Sequence, residues 1–259
     1  MSVFRTSFTK ENYAMKVIGR SARKFIKTRT VDYNYPALVK LAFNDAMTYN
    51  PETGKGGTVF GLGFREHKIK HYNKPHLGVL ENLLYNKEYN ADVRLDVLSK
   101  SDFLQAHAVI AITDAGGPNL CQYHLIGRED ATSEQDLEGA WEVPQPEDGV
   151  LKFRDGFHSK SFDARKLVAL SSIYTFGDFQ RRFADFSNDY FKNLLNPEIE
   201  SNSALDKILL EEPELKEYVE LFAKDKKEFF DAFTDAWLKM YTLGNDDKEL
   251  TLRVPKIEH

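Results

Sequence analysis

Apolar residues recur along this chain at three- and four-residue spacing, and two-residue alternation is sustained nowhere, so the pattern predicts helices throughout. Thr9 is placed to cap a helix running to about Lys27. Tyr13, Val17, Ala22, Phe25 and Ile26 would lie inward, with Lys16, Arg20, Arg23 and Lys24 on a solvated outer face. From Pro36 to Tyr49, Leu38, Leu41, Ala42 and Met47 keep helical register. Pro36 suits the first turn, and Asp32 or Asn34 is the expected N-cap. Lys40, Phe43 and Asn44 then share one side of that helix. The run Tyr49-Asn-Pro-Glu-Thr-Gly breaks it, and Gly56-Gly57 extends the break.

Residues 54–73 read as irregular, and Leu77 to Leu84 as a short helix. The glycines of this region do not make a phosphate cradle, because no GK[ST] follows and no strand precedes. Ser99 and Asp102 form an expected capping box before FLQAHAVIAIT, which stops at Gly116-Gly117-Pro118. A helix with so little polar surface belongs at the centre of the protein. His107 stands alone on it and reads as a hydrogen-bonded core residue rather than a ligand.

Pro118 to Ser161 has no clean periodicity, and within it Arg128 and Asp130 are expected to pair and pin the segment down. Asp163 caps ARKLVALSSIYTFG, with Leu167, Leu170 and Tyr174 on one face and Gly177 at the end. Asp189 to Leu195 gives a turn or two of helix, and Pro213 opens ELKEYVELFAKD. The last helix runs from about Asp225 to Gly244. Its stripe of Phe229, Phe230, Phe233, Ala236, Trp237, Met240 and Tyr241 reads as core packing. The expected fold class is all-α.

Composition narrows the function. With 19 Phe and 12 Tyr in 259 residues there is ample material for a large core. A formal net charge of −5 argues against non-specific nucleic-acid binding and a polybasic membrane anchor. Cys121 is the only cysteine, so neither an internal disulfide nor a cysteine metal cluster is expected. No stretch has the length of a transmembrane helix. The opening MSVFRTSFTKENYAMK lacks an apolar core and reads as too short to be a full transit peptide.

The run PALVKLAFNDAMTY followed by T-x-x-G-G resembles the distal helix of class I haem peroxidases, the ascorbate peroxidase and cytochrome c peroxidase group. In that resemblance Lys40 stands at the arginine position, Phe43 at the tryptophan and Asn44 at the catalytic histidine. Lys40-Leu41-Ala42 and Asn44 to Tyr49 also agree with a degenerate ascorbate-peroxidase-like variant of the thylakoid lumen. Gly127-Arg128-Glu129-Asp130 matches the family's G-R-E-D turn, and LVALSSIYTFG resembles its proximal helix, with Tyr174 where the iron's histidine ligand falls. The segment beginning LDKILLEEP resembles the stretch carrying the aspartate that bonds that histidine, here Asp206. The proximal tryptophan has no counterpart. The ascorbate-binding arginine position falls on Phe183, next to Arg181 and Arg182. The asparagine that orients the distal histidine is absent near Lys74-Pro75, unless Asn73 serves after a one-residue slip.

The resemblance implies a single haem-peroxidase-like unit over 1–259, with a distal lobe of about 7–135 and a proximal lobe of about 136–245 around a central cleft. The residues argue against the chemistry. Peroxide heterolysis needs a base that takes one proton and delivers it to the leaving oxygen, and an amide such as Asn44 does not titrate near neutral pH. It also needs a fixed positive donor, for which the flexible Lys40 is a poor substitute. Iron needs an axial ligand, and a phenolate at Tyr174 is disfavoured if its neighbour is the anionic Asp206.

The favoured reading is a non-catalytic accessory or binding protein holding no haem. Tyr174, Phe43 and Asn44 would fill the vacated pocket, and Tyr174 would donate to Asp206. Asp206 could otherwise cap the helix starting near Ala204. The resemblance adds photosystem II as an expected partner and the chloroplast thylakoid lumen as the compartment, with the cytoplasm or another organelle as alternatives. The competing reading is a divergent peroxidase with haem b on Tyr174. A third is a binder of another small molecule, with Lys40, Tyr174 and His76 as polar handles.

Overall fold

The computed structural model describes residues 31–68, 70–84, 98–177, 185–200, 203–245 and 250–252. The helix expected between Thr9 and Lys27, and positions Arg181, Arg182 and Phe183, lie outside these. Ten α-helices are present among the described residues: α1 (Val31–Met47), α2 (Arg65–Lys68), α3 (Leu77–Leu84), α4 (Lys100–Asp114), α5 (Val150–His158), α6 (Ala164–Thr175), α7 (Asp189–Leu194), α8 (Ala204–Glu211), α9 (Pro213–Lys224) and α10 (Lys226–Met240). One antiparallel pair joins β1 (Leu125–Ile126) to β2 (Thr251–Leu252).

The helix ends have local causes. Asp163 accepts from the backbone N–H of Lys166 and starts α6, Asp225 accepts from Lys227 and Glu228 and starts α10, and Pro213 opens α9. Helix α1 departs from expectation at its start. It begins at Val31, so Asp32 and Asn34 lie inside it and Pro36 is not in its first turn. The Pro36 ring instead packs on Gly177, the turn that ends α6, where an added Cβ would come within 2.4 Å of the ring. Gly177 also has φ +90, so its lack of a side chain serves both the left-handed turn and the close approach of α1 to α6.

Helix α4 is buried from Ser101 to Ile112 and forms the centre of the core, with α1 packed along it. On the other side α6 packs on α9 and α10, and α1 also touches α6. A single hydrophobic cluster joins these elements. Only half of the expected capping box at α4 forms. Ser99 accepts from Asp102 N–H, but the Asp102 carboxylate turns away to Gly127 N (2.8 Å) and Arg128 Nη1 (2.8 Å). Arg128 therefore pairs with Asp102 and not with Asp130. Asp130 instead accepts the free N–H groups of Lys100 and Ser101 at the start of α4.

Candidate functional site

The site positions on α1 and α6 lie where these two helices meet. Phe43, 1% exposed, points from α1 at Tyr174 on α6. Their rings stand edge to face with centroids 5.3 Å apart. Phe153 and Phe157 of α5 close the same cluster. Phe157 lies 6.4 Å from Phe43, and Phe153 lies 5.8 Å from Tyr174. Helix α5 carries Gly156 where the chain at Pro144 crosses it, since a Cβ there would fall 2.4 Å from the Pro144 ring. That close crossing brings the Pro144 carbonyl to the Tyr174 hydroxyl, which donates to it in a short hydrogen bond. Burial, and then the charges of Glu147 and Asp148, hold the Tyr174 phenol far above its ordinary pKa, so it is a neutral donor.

The expected Tyr174–Asp206 bond is not made. Asp206 accepts from Tyr190 Oη at 2.7 Å, and burial first, then this carboxylate, raises the Tyr190 pKa. Nor does Asp206 cap α8. Ser203 does so, accepting from Asp206 N–H at 3.0 Å. Helix α7 places Tyr190 between Tyr174 and Asp206 in the chain, a partner that helical spacing alone gave no reason to choose.

On the other side of α1, Asn44 is 6% exposed and donates to Asn73 Oδ1 at 2.9 Å and to the Tyr72 carbonyl at 3.4 Å. Asn73 in turn donates to the His67 carbonyl at 2.8 Å, so the one-residue slip raised for Asn73 matches the contact formed. The next residue, Asp45, is buried and takes a hydrogen bond from Phe60 N–H at 3.0 Å. Burial lifts its pKa to about 7 against the pull of the Phe60, Leu62 and Gly61 N–H groups. Lys40 and His76 are half-buried. His107, as expected, is a core residue bonded to the Phe103 carbonyl at 2.8 Å through Nδ1.

Two features of this half of the molecule had no sequence signal. Tyr72 Oη donates to Glu142 at 3.0 Å, beside an ion pair of Glu142 with Lys70. The buried Lys160 ammonium lies over the Trp141 ring at 4.7 Å and donates to the Gly156 carbonyl at 3.0 Å, with burial lowering its pKa to about 8. Among the described residues no group of three His, Cys, Asp or Glu could hold a metal, and no helix is long and apolar enough to cross a membrane.

Residues 19–225 match the peroxidase family. The chain is 32% identical over 254 residues to "L-ascorbate peroxidase 2, cytosolic" of Arabidopsis thaliana, covering 93% of this chain and 96% of that protein. It is 27% identical to "L-ascorbate peroxidase T, chloroplastic" of the same plant, over 86% of this chain and 59% of that protein. It is 26% identical to "Putative cytochrome c peroxidase, mitochondrial" of Yarrowia lipolytica, over 81% of each. A mostly helical architecture among the described residues, and similarity to ascorbate peroxidases along most of the chain, show that this protein belongs to the peroxidase family as an ascorbate-peroxidase-like member.

Proposed function

We propose that this protein has kept the peroxidase fold while holding no haem and performing no peroxide chemistry, and that it works as an accessory or binding protein. The observation that carries this reading is the contact of Phe43 with Tyr174. In the family resemblance these positions belong to opposite faces of the prosthetic group. Two rings in direct edge-to-face contact leave no space between them for a third planar group.

The surrounding polar groups support the same reading. The Tyr174 hydroxyl is held by the Pro144 carbonyl as a neutral phenol, which is not an iron ligand. Asn44 spends its amide on Asn73 and Tyr72, and an amide supplies no general base. These residues do not fit haem b.

The finer part of the proposal is place and partner: the thylakoid lumen of the chloroplast, in association with photosystem II. It is supported by the run Lys40-Leu41-Ala42 with Asn44 to Tyr49. Relatives with cytosolic, peroxisomal and chloroplastic names make the cytoplasm the first alternative. The test of the central claim is a titration of the purified protein with hemin, followed by visible spectroscopy. No stoichiometric Soret band is expected. A one-to-one band that Tyr174→Phe abolishes would establish the opposing reading, a divergent haem peroxidase with Tyr174 as axial ligand.

A further inference from the structure

His124 links a 3₁₀ turn (Leu120–Tyr123) to β1. Its side chain is fully buried, and neither ring nitrogen has a hydrogen-bond partner among the described residues. A buried imidazole in that state is tolerable only while neutral, because the imidazolium would carry two unsatisfied donors.

The residues on both sides of His124 are stapled by one hydroxyl. Tyr241 Oη, just past α10, donates to the Tyr123 carbonyl at 2.5 Å and accepts from Leu125 N–H at 3.0 Å. The strap then continues into β1, whose partner is β2 near the C-terminus.

The titratable groups acting on this position are Arg128 and His107. Arg128 of the strap itself lies over the Tyr241 ring at 4.6 Å and donates to the Tyr241 carbonyl at 2.9 Å and the Leu125 carbonyl at 2.6 Å. From α4 comes His107, Asp102 of the same helix reaches this region through its pair with Arg128, and Cys121 is buried in the preceding turn. Asp102 is the one carboxylate in this set. Its oxygens are already bonded to Gly127 N, Arg128 N and Arg128 Nη1. A proton on His124 would thus place a second cation beside Arg128 with no anion to receive it.

We propose that His124 is the trigger of an acid-sensitive latch, which holds residues 120–126 and the β1–β2 pair closed when neutral and releases them on protonation while the Arg128–Asp102 pair stays in place. Water is the available partner for an imidazolium here. The cheapest route to it is to lift a strap whose ladder is two residues long, leaving α4 in place. Burial, with Arg128 and then His107 adding to it, pushes the His124 pKa down to about 3, in keeping with a ring that gains its proton only on opening. The inference does not depend on whether the protein binds haem.

The test is amide hydrogen exchange at Leu125, Ile126, Thr251 and Leu252, corrected for intrinsic rate, at about pH 7.5 and about pH 5. One histidine with an ordinary pKa in the open state raises the opening equilibrium about 30-fold over that interval. That rise is expected in the natural protein, while amides of α4 keep their protection. In His124→Phe the rise should shrink to less than about threefold, and in His107→Phe it should persist. Unchanged protection in the natural protein, or an undiminished rise in His124→Phe, would overturn the latch. Should His124→Phe not fold, the ring resonances of His124 in the natural protein decide. Titration near the ordinary histidine pKa with protection intact refutes it, and a ring that stays neutral until protection falls supports it.

Discussion

The Asp102–Arg128–Tyr241 knot and the Phe43–Tyr174 contact lie in one hydrophobic core, yet they are held by opposite physics. In the knot, Arg128 is 3% exposed and directs its donors at a carboxylate and two carbonyls, while the Asp102 carboxylate answers with three acceptor contacts. Removing either Asp102 or Arg128 strands the other's buried charge, so the knot is intolerant of single change at those two positions. The aromatic contact makes no such demand. Rings replace rings at modest cost as long as volume is kept, and the one polar atom there, Tyr174 Oη, has a backbone acceptor that no side-chain substitution removes. A polar arrangement that must be kept whole therefore shares one core with an apolar one that could drift.

The largest expected effect breaks the knot. Arg128→Met leaves Asp102 buried without its cation and should cost about 3–5 kcal/mol in urea unfolding. The double change Asp102→Asn with Arg128→Met should cost clearly less than the sum of the two single changes, because neither charge is then stranded. Additive losses would mean that the two side chains act separately, and the contrast with the aromatic contact would fail.

What could be read before the structure follows from the range of each force. Helix starts at Asp163, Pro213 and Asp225 were legible, because a cap acts on N–H groups two or three residues away. Through-space partners were not. Sequence proximity pairs Arg128 with Asp130, two residues off, whereas its carboxylate is Asp102 on a different element. The family resemblance pairs Tyr174 with Asp206, whereas its acceptor is the Pro144 carbonyl, a backbone atom that no residue name announces. Asn73 enters only as the alternative to an absent asparagine, and nothing local marks Tyr190 as the partner of Asp206.

Asp45 gives an intermediate effect, with a direction that separates it from the histidines. Its pKa rises from 3.8 to about 7, so the folded state holds a proton that the unfolded state has lost across that window. Stability from this carboxyl is full below about pH 4 and is lost as pH climbs toward 7, with a slope approaching 1.4 kcal/mol per pH unit. His107 and His124, lowered to about 4 and about 3, act in the other direction and lose stability as pH falls below their ordinary value. The natural protein minus Asp45→Asn isolates the carboxyl. Their difference in unfolding free energy should change steadily between about pH 4 and pH 7, favouring the natural protein at the acid end. A flat difference would mean that Asp45 titrates normally and that its bond to Phe60 N–H carries no burial penalty.

The smallest effect is the most informative about the aromatic side of the comparison. Tyr174→Phe keeps the ring against Phe43 and Phe153 and deletes the hydroxyl that reaches Pro144. If this contact is held by packing, the loss is one neutral hydrogen bond, about 1 kcal/mol, read as a small shift of the urea midpoint with an unchanged slope. If the hydroxyl instead governs how α5 and α6 meet, the loss should exceed about 3 kcal/mol and the slope should change, because the chain at Pro144 would no longer be fixed. Tyr190→Phe is the internal control. It deletes the same group, but from a carboxylate acceptor, Asp206, and a charge-assisted bond should cost about twice as much. Tyr174→Phe costing less than Tyr190→Phe is the order that packing predicts, and the reverse order would move Tyr174 from filler to keystone.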